Sequence, residues 1–128
     1  MPALKLKQLQ YENDIWKRTL GSMLDENVHL KNRLSEVLKN KFDKTRLEEV
    51  EGYQSRFLKK DELIGLLRNE VAEVDKLLVK EVFDDGKIIK EIDKKLTKLR
   101  KNIINAEKQF GRLKSEFNSY LSEKIQME

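Results

Sequence analysis

Apolar residues recur three and four positions apart along almost the whole chain, in three separate phases. The last run is the most regular: Ile89, Ile92, Leu96, Leu99, Ile103, Ala106, Phe110, Leu113, Phe117 and Tyr120. A repeat of about 3.5 residues keeps one apolar edge of a helix facing a partner helix. The first run has Leu6, Asn13, Leu20, Asn27 and Leu34 at heptad position a, and Leu9, Trp16, Met23, Leu30 and Val37 at d. The second has Val50, Phe57, Ile64, Val71 and Leu78 at a, and Tyr53, Lys60, Leu67 and Val74 at d. Leu24, Leu38, Leu63, Leu77, Ile88 and Leu121 widen these seams beyond what a two-stranded zipper needs. Each helix is therefore expected to touch two neighbours.

The phase breaks locate the turns. Continuing the first phase puts an a position at residue 48, whereas the second phase needs it at Val50. A slip of two residues is not absorbed as an ordinary stutter. A turn is expected between Asn40 and Leu47, with Asp43 or Thr45 as the next N-cap and Thr45 and Glu48 at capping-box spacing. Asp84, Asp85 and Gly86 mark the second turn. Gly52 is a rival turn site, but Val50, Tyr53 and Phe57 keep phase across it, so it reads as helical.

The pattern predicts an all-α chain forming one domain over residues 1–128, with helices over about 4–41, 45–83 and 87–125. Each would be about 60 Å long. Short turns between such helices make neighbours antiparallel, giving an up-down-up antiparallel three-helix coiled-coil bundle. In outline this topology is similar to spectrin-like and other three-helix coiled-coil bundles, a likeness of architecture that carries no functional residue.

Composition sharpens this reading. Charged residues are 39% of the chain, hydrophobic ones 38%, and there is one proline, as expected of long exposed helices. A disordered chain of this charge would lack the apolar repeat. The absence of cysteine excludes disulfides and thiolate metal sites and favours a reducing compartment. Met1 to Gln10 holds no apolar run resembling a signal peptide, and no stretch approaches the roughly 20 apolar residues of a membrane span. The expected setting is the cytoplasm, with no membrane partner.

Candidate chemistry is sparse. Glu26 and His29 have the Glu-x-x-His spacing of a ferritin-like carboxylate-metal site, but such sites use two of these motifs and the chain has one histidine. His29 falls at an outward c position. No nucleophile-base pair and no glycine-rich phosphate loop emerges, so no enzyme, metal or cofactor is expected. Net charge is +4, from 27 basic and 23 acidic residues. Lys87, Lys90, Lys94, Lys95, Lys98, Arg100 and Lys101 form a basic segment at the start of the third helix, a candidate anion patch. The acidic end of the second helix, Glu70, Glu73, Asp75, Glu81, Asp84 and Asp85, is expected alongside it, and no aromatics interleave with the lysines as single-strand stacking requires.

Two features inside and outside the seams are more specific. Asn13, Asn27 and Lys60 are polar residues at core positions, and folding the chain about residue 43 brings Asn27 and Lys60 into one layer near Phe110. A buried Asn costs stability but fixes register and oligomeric state; Lys60 has the alternative of snorkelling outward on its stem. Leu58, Gly65, Ala72 and Val79 all occupy b positions, normally the most polar, and form a candidate self-association stripe. The functional expectation is a non-enzymatic coiled-coil protein-protein interaction or scaffolding module that binds partner helices and self-associates. The rival reading is an accessory protein that binds nucleic acid or another polyanion through the basic segment.

Overall fold

The computed structural model describes residues 2–40, 46–81 and 86–125. They form α1 (Pro2–Asn40), α2 (Leu47–Glu81) and α3 (Ile89–Tyr120), the last running on into a π-helical turn (Leu121–Ile125). No strand occurs among the described residues. Over the described residues the helices are 39, 35 and 32 residues long, and the π-helical turn adds five to the last. Gly52 lies within α2, as the unbroken phase across it requires.

Local chemistry explains the ends. Pro2 opens α1, where a missing N–H costs nothing. Glu48 and Glu49 sit in the first turn of α2, and Lys39 and Lys80 in the last turns of α1 and α2, each sign matching the helix dipole. Gly86 takes φ of 87°, the left-handed conformation glycine adopts without strain. The Ile88 N–H donates to the Glu81 carboxylate at 3.0 Å, so the end of α2 satisfies a backbone donor at the start of α3. The caps expected at Asp43, Thr45, Asp84 and Asp85 lie outside the described residues.

Cross-helix bonds establish the up-down-up topology. Asn13 and Asn27 bond to Val71 and Phe57, so α1 and α2 run antiparallel. Glu12 meets Arg100 and Arg33 meets Asn118, so α1 and α3 run parallel. Each helix packs on both others, as the widened seams imply. The core is the a and d set, without Lys60 and with Leu121 added. Leu20, Phe57, Ile92, Leu96, Ile103 and Phe117 are fully buried, and Leu24, Leu38, Leu63 and Leu77 pack half-buried against its flanks. Tyr53, Phe57, Phe117 and Tyr120 stack towards one end, with Phe57 edge-on to Phe117 at 5.0 Å between centroids. Burial and the Glu49 carboxylate push the Tyr120 hydroxyl up to about 12.

Candidate functional site

The polar core residues build two copies of one constellation. Asn13 Nδ2 donates to the Val71 carbonyl at 3.2 Å and to the Asp75 carboxylate at 2.8 Å. Asn27 Nδ2 donates to the Phe57 carbonyl at 3.0 Å and to the Asp61 carboxylate at 2.7 Å. Both asparagines are fully buried. Each aspartate also meets a lysine one turn beyond its asparagine: Lys17 with Asp75 at 2.5 Å, and Lys31 with Asp61. The Asp75 hydrogen bond holds the Lys17 ammonium above its usual value. The register these bonds define places Leu20 opposite Ile64 and Leu34 opposite Val50. Leucine and asparagine layers therefore alternate along the α1–α2 seam, and the polar clamps recur every two heptads.

Lys60 does not join the Asn27 layer, contrary to the fold-back expectation. The partner of Asn27 is Asp61, one position further along α2, and Lys60 turns to the other side and donates to Gln109 of α3 at 3.1 Å. A long stem lets the ammonium leave the core where an asparagine amide has to be satisfied inside it. Burial, and then Arg56, hold the Lys60 pKa below the usual lysine value. Asp61 and Asp75 sit at e positions, where a charged residue reads as ordinary flank; the available signal was Asn-x-x-x-Lys beginning at two a positions, Asn13 and Asn27, fourteen residues apart.

The remaining seam flanks carry charge pairs. Glu12 accepts both the Arg100 guanidinium, at 2.7 and 2.9 Å, and the Trp16 indole N–H at 2.9 Å. The Arg100 bond, as the largest cause, holds the Glu12 carboxyl below the usual range and Arg100 above its own. Lys5 pairs with Asp93, Lys114 with Glu26, and Arg56 with Glu116. Glu26 thus faces α3, while His29 is exposed, so the Glu-x-x-His residues do not share a site. Among the described residues no three His, Asp or Glu side chains converge as a metal cage would require.

The anion-patch residues divide. Arg100 is taken by Glu12. Lys95 and Lys98 line a groove with Glu70 and Glu73 of α2. Lys87, Lys90, Lys94 and Lys101 are exposed. Lys94, Lys101 and also Lys108, beyond the segment the sequence singles out, occupy successive f positions, the point of α3 farthest from the core, and Lys87 precedes them in the turn.

The stripe of small and apolar residues lies on the outer face of α2. Leu58 is 49% and Val79 64% exposed, and Leu66, on the neighbouring c position, is 62% exposed. Gly65 and Ala72 lie exposed between them. A Cβ built at Gly65 would meet nothing within 4 Å. Packing within the chain therefore has no need of this glycine. Ala72 also borders a shallow groove between α1 and α2, formed with Lys17, Leu20, Arg68, Val71 and Asp75.

No helix among the described residues is long and apolar enough to cross a membrane. In comparison with known proteins, the chain shows no significant match to a family model, a curated protein or a solved structure.

Proposed function

We propose that the protein is a non-enzymatic coiled-coil interaction or scaffolding module that pairs with a second copy of itself through the outer face of α2, in the cytoplasm. The supporting observation is the exposed run Leu58, Gly65, Ala72 and Val79, one residue per heptad over about 32 Å of helix. A solvated helix face has no use for it, and mid-helix glycine costs about 1 kcal/mol against alanine. Close approach of another helix offsets that cost. The run is also self-complementary. In an antiparallel pair about a two-fold axis, Leu58 lies over Val79 of the partner subunit while Gly65 lies over its Ala72, so large residues anchor the ends and small ones let the backbones meet in the middle. The cytoplasmic setting rests on the cysteine-free sequence.

Light scattering across a dilution series tests the reading. Wild type is expected to pass from monomer to dimer with rising concentration. Ala72→Glu or Gly65→Glu is expected to stay monomeric and folded, with undiminished helical circular dichroism, because both positions point away from the core. A wild type that remains monomeric at high concentration, or a charged variant that dimerises as wild type does, refutes it.

A further inference from the structure

The three outer faces of the bundle differ in kind. The f positions of α1 from residue 4 on are Leu4, Tyr11, Arg18, Asp25, Asn32 and Lys39, and those of α2 are Glu48, Ser55, Glu62, Asn69 and Lys76. Those of the third helical stretch begin Lys87, Lys94, Lys101 and Lys108. On α3 itself Lys94, Lys101 and Lys108 line up about 10.5 Å apart, over about 21 Å of helix, and Lys87 lies in the turn just before it. Lys90, Lys98 and Arg112 flank the column at b and c positions, against a single acid, Glu91, on the same face. All of these side chains are exposed.

The acids that would neutralise this column are engaged elsewhere or turned aside. The ion pairs that α3 makes with α1 and α2, Lys5–Asp93, Glu12–Arg100, Glu26–Lys114 and Arg56–Glu116, all lie on the e and g flanks, facing the neighbouring helices. Glu107 is also an e residue, on the α1 side. Glu70 and Glu73 of α2 lie beside Lys95 and Lys98, below the column rather than on it. The positive region therefore runs along the outer face of α3, with Asp93 and Glu107 on one margin and Glu116 on the other.

We propose that this lysine column binds the phosphate backbone of double-stranded nucleic acid, without reading its sequence. A line of cations matches a line of phosphates; about 21 Å covers about six base-pair steps at 3.4 Å. A flat anionic membrane would press against the acidic margins as well as the column. Single strands offer bases for stacking, but the aromatic residues of α3, Phe110, Phe117 and Tyr120, are buried. The face carries no Gln, and its one Asn, Asn105, lies alone among lysines, so the column is built for phosphates rather than base edges. This binding uses a different face from the α2 stripe and does not depend on self-association.

Fluorescence anisotropy with a labelled random-sequence 20-base-pair duplex tests it. With about five phosphates neutralised, the affinity is expected to fall roughly 500-fold between 50 and 200 mM salt. Each single substitution Lys94→Gln, Lys101→Gln or Lys108→Gln is expected to reduce the slope of log affinity against log salt by about one. Lys94→Glu/Lys101→Glu/Lys108→Glu is expected to abolish binding while its melting temperature and scattering mass stay those of wild type. Absence of duplex binding at 50 mM salt overturns the proposal. So does an unchanged salt slope in the Gln variants, tighter binding to the matching single strand, or tighter binding to vesicles containing phosphatidylserine.

Discussion

The Asn27 clamp makes a quantitative claim about which residue depends on which. Asp61→Ala removes an acceptor 2.7 Å from a fully buried amide and also ends the Lys31 ion pair. A hydrogen bond to a charged acceptor is worth about 1.5 to 3 kcal/mol, and a partly exposed ion pair about 0.2 to 1. The expected loss is about 2 to 3 kcal/mol. In an Asn27→Val background no buried donor is left wanting, and Asp61, 26% exposed, keeps water and Lys31. There the same Asp61→Ala change is expected to cost only about 0.5 kcal/mol, the ion pair alone. Asn27→Val by itself is expected to lie within about 1 kcal/mol of wild type, since it also removes the Asn27 Oδ1, which is buried without a partner. The assay is urea unfolding followed by helical circular dichroism for all four proteins at one low concentration, because association would shift apparent stability. A coupling near 2 kcal/mol is expected. An Asp61→Ala penalty of the same size in both backgrounds would refute the clamp.

Three further outcomes follow from single sites. Lys60→Leu is expected to stabilise by about 1 kcal/mol, because it replaces an ammonium that burial and Arg56 disfavour with an apolar d residue; a lower urea midpoint would contradict this. Glu12→Gln is expected to lower stability by about 1 kcal/mol at neutral pH. Because the folded-state pKa of Glu12 lies below its ordinary 4.5, the contribution is full above that value and fades as pH falls through the folded one, so the gap in melting temperature should close on acidification; a gap constant from neutral to pH below 4.5 argues against the Arg100 pairing. Gly21→Ala and Gly111→Ala, where an added Cβ meets nothing within 4 Å, are each expected to raise stability by about 0.5 to 1 kcal/mol in thermal unfolding.

Which parts of this were readable without coordinates has a physical explanation. Burial follows period, so Ile92, Leu96, Leu99, Ile103 and their counterparts were identifiable from spacing alone. Asn13 and Asn27 were identifiable as interruptions of that period. Their acceptors were not, because a hydrogen bond depends on which e-position carboxylate the antiparallel register brings opposite, and a shift of about two residues in that register moved the expected partner from Asp61 to Lys60. The surfaces were harder still. Leu58 and Val79 stood out as apolar residues in a polar position, whereas Lys108 did not join the basic segment until its f position on a continuous α3 aligned it with Lys94 and Lys101.

The clamps and the flank pairs divide the work of specifying the bundle. Every buried residue of α3 apart from the Tyr120 hydroxyl is wholly apolar, and apolar packing is non-directional, so its seam alone says little about register. Against α1 that information comes mainly from Lys5–Asp93 and Glu12–Arg100, whose side chains are 22–45% exposed and therefore screened by salt. The α1–α2 register rests instead on two amides with no solvent exposure, bonded to backbone carbonyls that salt does not screen. A one-heptad slip of α1 along α2 would face Asn27 with Gln54 or Arg68 in place of Asp61 and so remove the carboxylate acceptor from a buried amide, at about 1 to 3 kcal/mol. A one-heptad slip of α3 would rearrange partly exposed pairs and unstack Phe117 and Tyr120 from Tyr53 and Phe57, but would strand no buried amide. The hairpin of α1 and α2 is thus the element with a single defined register, and α3, which carries the lysine column, is the helix whose placement is governed by electrostatics.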